Sequence, residues 1–585
     1  MPRRLRTSLA PGRVAGWGNV HPGVTSFIRE LPIVLGAIGL FYGVFAFALH
    51  WSSPIAPQSE ISLNPAALPK YALFSVLRIA AAYFLSLVFT LIYGYVAAYN
   101  RRAERLMVPL LDTLQSIPVL SFLPPVMISM VALFPSRELG VELGSVLLIF
   151  TGQVWNMTFS FYSSLKSIPG EMREAAIAYR LNWWQRFWQL ELPYGAIGLI
   201  WNSMMSVAGG WFFLMACEMF VLGSRDFRLP GLGSYLQTAA NAGDKGAIAW
   251  GLATMVTVII LIDQFVWRPV IAWAEKFKLE QVPSSEIPRS PILSLVRGSE
   301  LLPFLSRTLV SPVRDRVNNY FQSALRRPDA RRPPRLASQW TLRAAGILGL
   351  GVFVYAVAEL FSVLRTISFQ ELRHLLAGAG ATFLRVEAAL VLAALWTIPV
   401  GVAVGLRPRL SALAQPIAQI AASVPATALF PIILLILVRA GGGLGIGSIL
   451  LLLLGTQWYV LFNVIAGASA IPADLKEVCD VYALSKAERW RKLLLPGIFP
   501  YLITGLVTAS GGAWNASIVA EYFHFRGETM STLGLGAIIS EATDGNNFRV
   551  LLAATVVMAI IVVSMNRLVW RRLYVLARTR FRLEA

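Results

Sequence analysis

Acidic residues are scarce in this chain, and so are cysteine and histidine. Its 585 residues include 31 Asp and Glu, two Cys and four His. Cys217 and Cys479 are too few for a disulfide framework and have no metal-ligand spacing around them. His21, His50, His374 and His524 form no catalytic or metal-binding constellation. The phosphate-cradling pattern Gly-x4-Gly-Lys-Ser/Thr does not occur, and neither does a nucleophile elbow. An enzyme reading therefore has almost no support: no catalytic residue, no metal and no cofactor is expected in this chain, and it should not bind ATP itself.

What is abundant is apolar sequence. Hydrophobic residues make up 56% of the chain and charged ones only 14%. That exceeds what a soluble core requires and indicates an all-α polytopic membrane protein. The net charge of +20 does not indicate nucleic acid, because Arg and Lys cluster in short stretches between apolar runs, as the positive-inside rule requires. The first thirty residues carry Arg3, Arg4, Arg6 and Arg13 without a short apolar stretch ending in a cleavage site, which reads as a cytoplasmic tail rather than a removed signal peptide.

Segments long enough to cross a bilayer, about 20 residues each, lie near 31–51, 71–98, 107–133, 144–166, 194–222 and 247–267. A second set lies near 344–364, 382–405, 412–438, 444–469, 497–523 and 548–566. About twelve spans in two sets of six are expected, with both termini on the cytoplasmic side. Arg101, Arg102 and Arg105 then fall inside, as do Arg407 and Arg409, while Arg365 and Arg373 are minor exceptions outside.

The two sets are parallel repeats. An offset of 307 residues pairs Arg78 with Arg385, Gly94 with Gly401, and Ser116-Ile-Pro118 with Ser423-Val-Pro425. An offset of 303 pairs Trp155 with Trp458 and Gly231-Leu-Gly233 with Gly534-Leu-Gly536. The four-residue difference lies between Pro124 and Trp155 and is placed in an external loop around 134–143, where length changes are tolerated. The repeats span 1–275 and 341–585. Residues 276–340 join them as an Arg- and Pro-rich cytoplasmic linker, in which 292–310 has the pattern of an amphipathic surface helix.

One polar stretch occurs in both repeats: Ile168-Pro-Gly-Glu-Met-Arg-Glu-Ala-Ala before Leu190-x-Leu192-Pro193, and Ile471-Pro-Ala-Asp-Leu-Lys-Glu before Leu493-x-Leu495-Pro496. This frame resembles the coupling stretch of ABC importer permeases, covering about 169–190 and 472–493. Glu174-Ala175-Ala176 and Pro193 match the family pattern, as do Glu477 and Pro496. Both copies depart from it where the family carries Gly, with Arg180 and Ala483, and the second has Val478-Cys479 for the two alanines. The chain looks most like the nitrate/sulfonate/taurine/bicarbonate class, on Ala520-Glu521, Leu533-Gly-Leu-Gly536 and Asn566-Arg-Leu-Val-Trp-Arg-Arg572.

The resemblance implies two six-helix type I importer repeats in a bacterial inner membrane, forming both halves of a pathway for a small anion. It also implies two ATPase subunits inside, carrying ATP and magnesium, and a substrate-binding protein outside. Each coupling helix would dock on an ATPase subunit, and Pro193 and Pro496 would start the fifth spans. An ion-gradient-driven secondary transporter of twelve spans is the alternative, but Asn100-Arg-Arg-Ala-Glu-Arg105 lacks the Gly- and Arg-rich loop motif of that class.

Within the spans, Arg78, Arg385, Glu218 and Glu521 are ionisable groups at membrane depth, which is costly and calls for a partner or a pore. The carboxylates line a path or bond a neighbouring helix. The arginines attract an anion, extend to the headgroups, or pair with those carboxylates. Ser116-Ile-Pro118 and Ser423-Val-Pro425 interrupt the third spans, which is tolerated where a helix lines a cavity. They are pathway candidates, with Trp211 and Trp514.

Overall fold

In the computed structural model the described residues are 61–134, 138–222, 225–226, 228–274, 361–439, 443–525 and 528–580, with a few isolated positions between 277 and 358. The tail before residue 31, the expected span 31–51, most of the span 344–364, and nearly all of the linker 276–340 with its segment 292–310 lie outside them.

Each repeat is the same succession of elements. In the first, α1 (Leu68–Tyr99), α2 (Arg101–Ser116), α3 (Leu123–Leu133), α4 (Leu139–Lys166), α5 (Gly170–Ala178) and α6 (Trp183–Glu218) precede a two-stranded hairpin, β1 (Val221–Leu222) and β2 (Arg225–Asp226). Then come α7 (Leu232–Ala242) and α8 (Lys245–Ala274). The second repeat runs α9 (Phe369–Gly405), α10 (Pro408–Ser423), α11 (Ala426–Arg439), α12 (Leu444–Ser469), α13 (Ala473–Val481) and α14 (Lys486–Ala520). Its hairpin is β3 (Tyr522–Phe525) with β4 (Glu528–Ser531), followed by α15 (Leu535–Asp544) and α16 (Phe548–Ala577).

Local chemistry explains the boundaries. Asn100 is extended and its side chain accepts the N–H groups of Arg102 and Ala103, so one residue ends α1 and caps α2. A Ser368–Glu371 capping box starts α9. The breaks expected in the third spans are present. Ile117 and Pro118 are extended between α2 and a 3-10 turn, Val119–Phe122, and Val424 is extended between α10 and α11. A proline has no N–H to donate and disfavours helix in the residue before it.

Among the described residues, seven helices are long and apolar enough to cross a membrane: α1, α6, α8, α9, α12, α14 and α16. Of the twelve expected spans, two lie wholly or mostly outside the described residues. Two others are broken into pairs of short helices, and α4 carries Glu142 and Gln153 where α12 has Gly445 and Thr456. The connections between α3 and α4, five residues, and between α11 and α12, four residues, bracket the point where the offset changes from 307 to 303.

The centre of each repeat is its fourth span, α4 or α12, packed between α1 and α6 or between α9 and α14. Close approach is needed there. A Cβ on Gly401 would lie 2.8 Å from Val464, and one on its counterpart Gly94 would lie 2.9 Å from Phe161. The repeats meet crosswise: α14 touches the 3-10 turn of the first repeat, while α6 touches α10 and α11 of the second.

The fifth spans correct one expectation. Pro193 and Pro496 are second in their α-helical runs, but neither begins its helix. Each helix starts earlier, at Trp183 or Lys486, and passes through a π-turn, Phe187–Glu191 or Trp490–Leu494, just before the proline. Widening the turn accommodates the proline without ending the helix. The hairpins and the short helices α7 and α15 were not foreseen either. The sequence reading runs the fifth span to 222 or 523, whereas α6 stops at Glu218 and α14 at Ala520.

Candidate functional site

The two coupling stretches fold alike. α5 and α13 are nine-residue helices, each following an extended proline, Pro169 or Pro472. Glu174 and Glu477 are exposed, as are Ala175 and Val478, while Ala176 and Cys479 are buried at the matching position. A small side chain is what that slot holds, which accounts for Cys479 standing in for alanine. Tyr179, Val481 and Tyr482 project into the open.

Both helices end in the same left-handed turn. Leu181 N–H reaches Ala176 C=O at 3.0 Å and Arg180 N–H reaches Ile177 C=O at 2.9 Å; Leu484 and Ala483 repeat this on Cys479 and Asp480. This is a Schellman closure, whose pivotal residue usually is glycine. Arg180 has φ 51° and Ala483 φ 48°. The bend that glycine would allow is therefore kept without glycine, at a cost of about 1 kcal/mol for each side chain.

Past the turn the copies diverge. Arg186 donates to the buried Glu191 at 2.6 Å and lies over the Tyr99 ring, tying the stretch to α1. Arg489, its equivalent, bonds Asp480 within the coupling stretch and the Leu484 carbonyl at 3.2 Å.

At the opposite end of the helices, the four ionisable residues singled out from sequence come together in two buried clusters. Arg78 is fully buried and grips Glu142 through two bonds of 2.6 Å and Glu218 through one of 2.7 Å. Glu218 also accepts from Ser75 Oγ at 2.7 Å and from the Gly233 N–H at 2.7 Å. Ser75 Oγ accepts in turn from Leu232 N–H. The carboxylate thus serves the first turn of α7, where backbone N–H groups lack helical partners. The second cluster repeats this with Thr382 for Ser75: Glu521 accepts from Arg385, Thr382 and Gly536 N–H. Arg385 adds the Leu533 carbonyl and Thr532 Oγ1.

Gly231 and Gly534 are extended, so backbone strain is not the reason for them. A Cβ on either would lie 2.2 or 2.1 Å from the incoming carboxylate. The Gly-Leu-Gly repeat thus marks where a membrane-embedded carboxylate meets a helix start.

These arrangements resolve the open choices. The arginines pair with the carboxylates of their own repeat, Arg78 with Glu218 and Arg385 with Glu521, and the carboxylates bond neighbouring helices. None of the four lines either of the two cavities between the repeats. Of the other candidates, Trp211 and Pro425 line the larger cavity, Trp514 is fully buried, and Pro118 is buried beside the break. Nothing is described of the Ser116 and Ser423 side chains; each ends its helix, α2 or α10.

Several residues escaped the sequence reading. Asn515 Oδ1 accepts from Val119 N–H at 2.6 Å, joining α14 to the break in the other repeat. Its counterpart in the first repeat is Phe212, so no repeated pattern marked it. Glu142 was equally hidden, since its counterpart is Gly445, although an acidic residue in an apolar run was a usable signal.

Comparison with known proteins places the chain. The family model described as binding-protein-dependent transport system inner membrane component matches twice, over residues 90–266 and 397–579. The bicarbonate transport system permease protein CmpB of Synechococcus elongatus is 28% identical over 197 residues, 34% of this chain and 68% of that protein. The nitrate import permease protein NrtB of the same organism is 31% identical over 32% of this chain and 64% of its own length. The taurine transport system permease protein TauC of Escherichia coli is 30% identical over 31% and 62%.

Proposed function

Starting from the fact that the chain belongs to the family of binding-protein-dependent transport system inner membrane components, we propose that it supplies both halves of the pathway of an ATP-driven importer for a small anion. The observation that carries the reading is the pair of coupling stretches. Two nine-residue helices, each with an exposed glutamate and the same left-handed closure, begin 303 residues apart. Each leads through a π-turn into a fifth span that borders the interface between repeats.

In this reading an ATPase subunit grips each coupling helix on the cytoplasmic side, where Arg101, Arg102 and Arg105 and Arg407 and Arg409 also lie. Both termini are then cytoplasmic, and the hairpin end faces a substrate-binding protein. ATP and magnesium act on the partner subunits. Closure of those subunits moves the coupling helices together, and each continuous helix from Trp183 or Lys486 transmits that displacement as a rigid lever. The first lever is tied to α1 through Arg186, which lies over the Tyr99 ring and donates to the Tyr95 hydroxyl. Anion transport is drawn from the relatives, whose names specify bicarbonate, nitrate and taurine.

The test is purification of the chain from its native host in mild detergent, beside the double variant Glu174→Arg, Glu477→Arg. A stoichiometric ATPase subunit should co-purify with the native chain and be lost from the variant. A chain that purifies alone and transports solute under an ion gradient without ATP would overturn the reading and favour a secondary transporter.

A further inference from the structure

A cavity of about 540 Å³ lies between the repeats. Its wall is built in equivalent pairs: Gly152 with Gly455, Asn156 with Tyr459, Gly209 with Gly512. Each pair is related by the 303-residue offset, so the cavity straddles the axis of the duplication. Gly209, Gly455 and Gly512 leave room, Gly152 admits the Phe213 ring, and the chemistry sits at the other positions.

Formal charge is nearly missing from this wall. Asp263 alone of the lining residues carries one, and Arg268 bonds it at 3.2 Å. What the wall offers is uncharged donors. The Ser206 hydroxyl is buried and has no partner among the described residues. Asn156 and the Tyr459 hydroxyl are engaged by no hydrogen bond among the described residues. Asn515 spends one amide hydrogen on the Gly511 carbonyl and keeps a second. Between these donors the surface is aromatic, with Trp201, Phe212, Phe213, Trp458 and Phe462.

We propose that this cavity holds the transported solute, and that it selects an organic monoanion, with the acidic head on Asn156, Ser206, Tyr459 and Asn515 and an apolar body against the aromatic wall. This deepens the import reading and rests on it. Size favours an organic solute: at roughly 30 Å³ per water, the space exceeds a bare inorganic oxyanion many times over. Charge sets the limit from the other side. An ion of two charges, stripped of water without a counter-charge, is strongly disfavoured, whereas one charge spread over several oxygens is met by charge-assisted bonds from neutral donors. Absence of a fixed cation also suits release, because a pathway site must bind weakly enough to let go.

The test uses the full chain with its co-purified ATPase subunits in lipid nanodiscs, and radiolabelled butanesulfonate as the probe with nitrate as competitor. Butanesulfonate should bind saturably, and nitrate should compete at least tenfold more weakly. Tyr459→Phe and Ser206→Ala should each weaken binding about fivefold, the worth of one hydrogen bond, and Asn156→Leu with Tyr459→Phe about twenty-five-fold. Asn241→Ala, in the separate cavity at the hairpin end, should leave the affinity unchanged. Co-purified ATPase in every variant reports intact folding and an intact import reading. Equal affinity for nitrate, native affinity in the double variant, or no butanesulfonate binding while the ATPase still co-purifies would each overturn the assignment. Loss of the ATPase from the native chain would instead overturn the import reading itself.

Discussion

Arg78 and Arg385 stand at equivalent positions and hold equivalent helices, yet they do so by different means. Arg78 is sealed between Glu142 and Glu218, while the Arg385 side chain keeps 14% of its surface exposed and has one carboxylate, Glu521, with a hydroxyl and a carbonyl. The difference comes from a single position. Glu142 reaches in from α4, and α12 has Gly445 there. The first repeat thus welds its second, fourth and fifth spans and α7 at one point, whereas the second ties α9, α14 and α15 and leaves α12 out. Duplication within one chain permits this, because each copy needs to satisfy only its own neighbours.

The largest expected effect breaks this comparison at the arginine. Arg78→Met strands two buried carboxylates and should cost about 3–5 kcal/mol or more, seen as lost yield and a much lower Tm of the chain in detergent. Arg385→Met strands one carboxylate, Glu521, instead of two and should cost less. Equal losses would mean that Glu142 adds no energetic asymmetry.

Next comes the crowding at the helix starts. Gly231→Ala and Gly534→Ala each push a Cβ into a carboxylate, which should cost about 1–3 kcal/mol through displacement of a packed group. The first should be the worse, since the Arg78 that holds Glu218 is itself buried and locked by Glu142, whereas the Arg385 that holds Glu521 is partly exposed and freer to shift. Thermal unfolding of the two variants side by side checks the order.

The contact between repeats is asymmetric in the same sense. Asn515→Leu removes the acceptor of Val119 N–H and should cost about 1–2 kcal/mol for an unpaired backbone donor. Phe212→Leu, at the equivalent position of the first repeat, removes no hydrogen bond among the described residues and should cost less. Comparable losses in Tm would show that aromatic packing at Phe212 matters as much as the cap.

How much of this was legible in the sequence follows from what repeats and what does not. Spans, breaks and coupling stretches were readable because each is a local pattern written twice. Pairing of Arg78 with Glu218 remained one of three options, since 140 residues separate the partners and only packing decides which faces meet. The hairpins were invisible because their strands are only two residues long in the first and four in the second, too short for a clear alternation. Asn515 and Glu142 were missed because divergence had erased their counterparts. The cavity donors Asn156 and Tyr459 were missed for a related reason: the pair is equivalent in place but not in chemistry. Sequence symmetry finds the frame, and the site is built from departures from it.

The smallest expected effect concerns the one feature in which the repeats agree against the family pattern. Arg180 and Ala483 both sit at positive φ, where a side chain is strained and glycine is not. Arg180→Gly and Ala483→Gly should each relieve that strain, by up to about 1 kcal/mol, offset in part by the greater freedom of glycine in the unfolded chain. The net gain should be larger at Ala483. The exposed Arg180 side chain carries a long apolar stem that glycine would remove, whereas the alanine methyl group contributes little to weigh against its strain. A Tm that rises at Ala483 and stays level at Arg180 is the expected result. A fall at both would mean that the left-handed turn is held by contacts of those side chains, and that the missing glycines are an adaptation of this chain rather than a tolerated departure.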